Sequence, residues 1–125
     1  MFLVMQMSSL PLPYVAYKNG GSCHTWHIAS TSWVIYTPES ELLCFEGVFL
    51  GSTTDNIAEY MSIISILTEA SSQDISNLVL RLDSQPVIMQ LTNHYHICNP
   101  ILLHHYLMVR ILERQYEFIT YEHIP

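Results

Sequence analysis

The sequence predicts an α/β fold in a single domain, with elements in the order β-β-β-α-β-α-α-β. Three observations carry this. Short β-type runs separated by turn residues fill the N-terminal part. A strongly periodic apolar pattern with a capping signal follows Thr53-Thr54-Asp55. Leu78–Leu82 is then nearly continuous in apolar residues, broken only by Arg81, which is how a buried parallel strand reads.

Taken in order, residues 1–13 form a poorly specified lead-in closed by Pro11 and Pro13, and the domain proper is expected over residues 14–125. Tyr14–Lys18 is a short β-type run that should end at the turn signal Asn19-Gly20-Gly21. Residues 22–31 look polar and irregular. Trp33–Tyr36 and Leu42–Leu50 read as two strands near enough to form a hairpin. Thr53, Thr54 or Asp55 can cap the first helix, since their side-chain oxygens accept free amides of the first turn. Ile57, Tyr60, Met61, Ile64 and Leu67 follow at helical spacing, with Ile63 and Ile66 widening the apolar face. That helix should lie on a sheet and end near Ser71-Ser72. After Leu78–Leu82, Ser84–Leu91 suggests a short helix with Pro86 in its first turn. Thr92–Asn99 is a loop, Pro100 opens a second long helix with Leu102, Tyr106, Val109 and Leu112 on one face, and Glu117–Ile124 is a last strand. The right-handed crossover rule places the fourth strand beside the first.

Composition narrows the function. The chain has 125 residues, enough for one core. Half the residues are hydrophobic and 12% are charged, which excludes a disordered chain or a coiled coil. Four basic residues, Lys18, Arg81, Arg110 and Arg114, stand against eleven acidic ones. So few cations cannot build a phosphate-binding patch, so nucleic-acid affinity should be weak. A bound metal would reverse the sign locally. Cys23, Cys44 and Cys98 are odd in number and lack metal-ligand spacing, so a reducing compartment is expected. The apolar start, Met1–Met7, lacks the charge and cleavage site of a signal peptide. No run is long enough to span a bilayer. These features point to a soluble intracellular protein, in nucleus or cytoplasm.

The candidate site rests on three residues. Asp83 directly follows the apolar central strand, at the strand end where open α/β sheets hold ligands. Glu59 is expected in the first turn of the crossover helix. Asn19 closes the first strand, the expected neighbour of the fourth. The topology lets the three converge.

Thr53-Thr54-Asp55-Asn56-Ile57-Ala58-Glu59-Tyr60, followed by Arg81-Leu82-Asp83-Ser84-Gln85, resembles type 1 ribonuclease H, and more closely its plant reverse-transcriptase-like and retrotransposon versions. Gly20-Gly21-Ser22 resembles that family's turn after the first strand. Asn93-His94-Tyr95, Asn99-Pro100 and His123-Ile124-Pro125 fit its later pattern, so the resemblance spans about residues 14–125. It implies a ribonuclease H-like fold, a five-stranded mixed sheet with the first three strands antiparallel and the fourth and fifth parallel to the first. It also implies cleavage of the RNA strand of an RNA–DNA hybrid with Mg²⁺ or Mn²⁺. Two hard cations about 3.5–4 Å apart require carboxylate oxygens and stabilise both attacking and leaving oxygens. By resemblance Glu59 and Asp83 are catalytic, metal-binding acids. Asn56 and Gln85, with Gly20 and Gly21, face the hybrid, where amides suit 2′-hydroxyls that both donate and accept.

Two departures make the expected enzyme degenerate. Asn19 stands where the family has a metal-bridging aspartate, and a neutral amide is a poorer bridge. The family's last acid lies on a helix beyond the final strand, and that helix is expected to be missing here, so two of four acids remain. The alternative is a non-catalytic nucleic-acid-binding or structural remnant of a retrotransposon-derived protein. A third reading is a zinc-binding module. His24, His27, His94, His96, His104 and His105 offer ligand types but no recognised four-ligand spacing, so they read as ordinary polar histidines.

Overall fold

The computed structural model describes residues 12–23, 28–51 and 53–125, with the side chains at 19–23, 28–30 and 48–51 left out of the description. Five strands, β1 (Tyr14–Cys23), β2 (Ile28–Tyr36), β3 (Leu42–Gly51), β4 (Asn77–Leu82) and β5 (Phe118–His123), form one sheet in the order β3-β2-β1-β4-β5. β1, β2 and β3 are an antiparallel meander, and β4 and β5 run parallel to β1. The helices are α1 (Asp55–Ser72), α2 (Gln85–Leu91) and α3 (Pro100–Glu113). The expected element order, strand directions and β1–β4 adjacency all hold. Among the described residues, no helix is long and apolar enough to cross a membrane.

The first strand corrects the sequence reading. β1 does not stop at Asn19-Gly20-Gly21. These residues pair with Ser32, Thr31 and Ser30 of β2, and the ladder continues to Cys23 opposite Ile28. The part of the supposedly irregular stretch that is described, from Ile28 onward, is strand. Turn-type residues yield here because a continuous partner strand satisfies their backbone groups, and tertiary pairing overrides local preference. The segment 24–27 lies outside the described residues.

Alternation along the strands decides which face is buried. Ala16, Trp33, Ile35, Leu78, Leu80 and Leu82 point into the core under α1 and α3. The opposite face carries Val15, Tyr17, Val34, Tyr36 and Arg81, which line a shallow open groove. Arg81 there donates to Tyr17 Oη at 2.5 Å and to Glu122 Oε1 at 2.9 Å.

α1 is capped by Thr54, whose Oγ1 accepts the Ile57 amide at 3.4 Å. Its buried residues are Glu59, Tyr60, Ser62, Ile63, Ile66, Leu67 and Ala70. The helix is therefore rotated from the expected face: Ile57, Met61 and Ile64 are only half-buried, and an acid takes a core position. Ser62 resolves its own burial by donating back to the Ala58 carbonyl at 2.8 Å. Three polar bonds tie the layers: Trp33 Nε1 to Ser65 Oγ at 3.0 Å, Tyr60 Oη to Gln90 Oε1 at 2.7 Å, and Tyr116 Oη to the Leu67 carbonyl at 2.5 Å. Trp33→Phe should cost about 1–2 kcal/mol, the indole bond plus lost packing. The check is the urea midpoint, and an unchanged midpoint would mean the indole adds nothing.

α3 opens on Asn99, whose Oδ1 accepts the Ile101 and Leu102 amides at 2.9 and 3.1 Å. Its expected inner face is right: Val109 is fully buried, and Leu102, Tyr106 and Leu112 pack against the core. Arg110 stacks over the Tyr106 ring and bonds the Leu91 carbonyl and Glu113, while Tyr121 Oη reaches Glu113 Oε2 at 2.5 Å. These contacts dock α3 onto the end of α2 and onto β5.

Candidate functional site

The parallel pairing of β1 and β4 aligns Tyr17 with Arg81. Asp83, one step beyond the last residue of β4, is thereby brought near the middle of β1. The core face of β1 carries Ala16 and then Lys18, which sits opposite Trp33 in the ladder. α1 crosses this face and presents Glu59 from its second turn, one turn later than the sequence suggested.

The result is a three-residue charge cluster. Lys18 Nζ lies 2.7 Å from Glu59 Oε2 and 3.4 Å from Asp83 Oδ1. The Lys18 and Glu59 side chains are 10% and 5% exposed, while Asp83 is 54% exposed. Lys18 and Glu59 therefore form a buried pair, and Asp83 is its solvent-facing third member. Burial pushes the Glu59 carboxyl above its ordinary range, and the Lys18 ammonium draws it part of the way back. Burial works against the Lys18 charge, but the hydrogen bond and charge of Glu59, with Asp83 beside them, outweigh it and hold the ammonium above its ordinary value. Glu59 Oε1 is buried without a hydrogen-bond partner among the described residues.

Glu59 and Asp83 thus meet at the Lys18 ammonium; the sequence reading let Asn19 converge with them. Asn56 lies one turn before Glu59 on α1, half-buried, and Gln85 opens α2 on the surface two residues after Asp83. Asn19, Gly20 and Gly21 follow Lys18 in β1, and the Asn19 side chain is outside the description. Lys18 is the site residue that the sequence reading missed. The signal was present: strand alternation from an apolar Ala16 puts Lys18, not its neighbour, on the core face.

A pair of divalent cations sets demands that this donor set does not meet. Hard cations need several oxygen ligands with net negative charge. Here an ammonium occupies the space between the two carboxylates and neutralises one of them. Among the described residues no group of three or more His, Cys, Asp and Glu is placed to hold an ion. The residues as they stand do not fit the metal pair. Of the histidines, His94 Nδ1 lies 2.9 Å from Thr92 Oγ1, and His105 Nδ1 donates to the Ile101 carbonyl at 2.9 Å. His24 and His27 lie outside the described residues.

Comparison with known proteins bears on the same stretch of chain. A family model described as "Reverse transcriptase-like" matches residues 19–125. Ribonuclease HI of the archaeon Halobacterium salinarum is 29% identical over 110 residues, which cover 88% of this chain and 55% of that protein. The crystal structure of the RNase H1 from that organism superposes with a TM-score of 0.84 at 28% identity, covering 90% of this chain and 86% of that one. A bifunctional protein of Mycobacterium tuberculosis is 29% identical over 112 residues, 89% of this chain and 31% of its own length. The chain spans between a third and about half of these curated relatives. LC11-RNase H1, solved in complex with an RNA/DNA hybrid, shares the fold with a TM-score of 0.81 at 21% identity, over 90% of this chain and 85% of that one.

Proposed function

This chain belongs to the reverse transcriptase-like family and has the ribonuclease H fold, and from that premise we propose that it is a degenerate ribonuclease H domain that engages RNA–DNA hybrids without cleaving them efficiently. A retrotransposon-derived gene is the origin this reading favours. The carrying observation is the convergence of Glu59 and Asp83 at the C-terminal end of β4, with Asn56 and Gln85 beside them.

In this proposal Asn56 and Gln85 read the hybrid's minor groove. Each amide offers both a donor and an acceptor to 2′-hydroxyls and base edges, which distinguishes RNA from DNA. The backbone at Gly20 and Gly21 lets a strand approach closely, because no Cβ stands in the way. Glu59 and Asp83 stand where the hydrolytic acids of the family are expected. Lys18 sits between the two and offsets one of their charges, so the hydrolytic step lacks its acid set. Hybrid affinity is expected to be weak and salt-sensitive, given four basic residues in the whole chain.

The test has two arms. Fluorescence polarisation with a labelled hybrid and the matching DNA duplex, in EDTA and low salt, should show a several-fold preference for the hybrid. The Asn56→Ala, Gln85→Ala double substitution should erase that preference while the chain stays folded. Equal binding of hybrid and duplex would sink the recognition reading. In the second arm, an end-labelled hybrid incubated with Mg²⁺ or Mn²⁺ should stay intact. Cleavage that vanishes in Asp83→Asn would show a working nuclease instead.

A further inference from the structure

We propose that Lys18 is the resident cation of this site, and that its ammonium holds the place and charge that divalent ions would otherwise take between Glu59 and Asp83. Nζ is within hydrogen-bonding distance of Glu59 and contacts Asp83 from the buried side. An ion binding both carboxylates would have to sit where Nζ sits, or break the 2.7 Å contact and expel a side chain that is nine-tenths buried. Expulsion is costly on both sides. Lys18 would lose both carboxylate contacts and have to turn off the core face of β1, where it lies opposite Trp33.

The charge balance agrees. Two carboxylates and one ammonium leave a net single negative charge, so the attraction for a hard divalent ion is about half of what the two acids alone would exert. Glu59 Oε1 is buried with no partner among the described residues, so of the two Glu59 oxygens only Oε2 meets the ammonium. A lysine is covalently tethered, so its local concentration does not fall when the surrounding solution lacks metal. Part of the site's negative charge is therefore compensated at all times, and its folded form is independent of Mg²⁺.

This inference rests on the proposed function only for the position of the site, and its test reads metal uptake rather than hybrid binding. Mn²⁺ is titrated into the whole chain and into Lys18→Asp, with free Mn²⁺ followed by electron paramagnetic resonance and Tm recorded with and without the ion. The unsubstituted chain should take up no Mn²⁺ that Asp83→Asn abolishes, and its Tm should not move. Lys18→Asp places a third carboxylate beside Glu59 and Asp83. It should bind Mn²⁺ at least tenfold more tightly and gain several degrees of Tm with the ion. Lys18→Ser, which removes the ammonium without adding charge, is the second variant if Lys18→Asp does not fold. Uptake by the unsubstituted chain at a site lost in Asp83→Asn overturns the inference. So does a folded Lys18 variant that binds no better than the unsubstituted chain. Hybrid binding that fails while these results hold would overturn only the recognition reading.

Discussion

Lys18→Met should lower the stability of the folded chain by about 3 kcal/mol near neutral pH, because it strands a buried carboxylate. Met keeps the apolar stem of the side chain and omits the ammonium, so the loss reports charge more than volume. Glu59 would then have neither oxygen paired within the described site. The pH dependence separates this from ordinary packing damage. Glu59 is already held above its ordinary value by burial, and Lys18 is what pulls it down. Without the ammonium its folded pKa rises further. A carboxyl raised on folding carries no penalty below its unfolded value, near 4.5, and a growing one as pH climbs through the folded value. The deficit of Lys18→Met should therefore be small at about pH 4 and fully developed by about pH 8. The Lys18 ammonium, also raised on folding by the ionised Glu59 and Asp83, loses its contribution only as pH rises above 10.5 through its folded value, outside the range in which the deficit develops. Urea midpoints for both chains across this range provide the check. A deficit that is the same at acid and neutral pH would show that the pair is not what the substitution broke.

Leu80→Ala should cost about 3 kcal/mol, the cavity cost of a fully buried leucine, and lower Tm by roughly 10 °C. Leu80 is completely buried and is paired with Ala16 on one side and Tyr121 on the other. Val79, next along the same strand, belongs to the other face and is only half-buried. Val79→Ala should therefore cost about 1 kcal/mol or less. Thermal denaturation of the two variants tests the assignment of faces as well as the core. Similar losses in both would mean that the open face of the sheet is covered in solution.

Much of the fold was legible in the residues, where local chemistry and tertiary demand agree. Leu78, Val79, Leu80 and Leu82 make Asn77–Leu82 mostly apolar, and its alternate residues are buried, so the strand announces itself. Thr54 and Asn99 cap α1 and α3 with side-chain oxygens, and Pro86 and Pro100 sit in first turns where no amide is needed. Asp83 could be singled out because a carboxylate at the end of such a strand stands at the rim of the core.

The failures share a different cause. Asn19-Gly20-Gly21 has the composition of a turn, yet it is strand because β2 runs alongside and pairs with each of the three. The face of α1 was read from apolar spacing alone, which could not register a buried glutamate. Lys18 was counted only as one of four cations. Its partners lie 41 and 65 residues away, on a helix and beyond another strand. The sequence by itself determined the strands, helices, caps and the strand-end acid, since these depend on periodicity, side-chain oxygens and fixed φ angles within a few residues. Only the tertiary structure decided that an ammonium stands between the two acids. That placement depends on the register of β1 against β4 and the rotation of α1, and both are set by packing across the whole core rather than by any local segment.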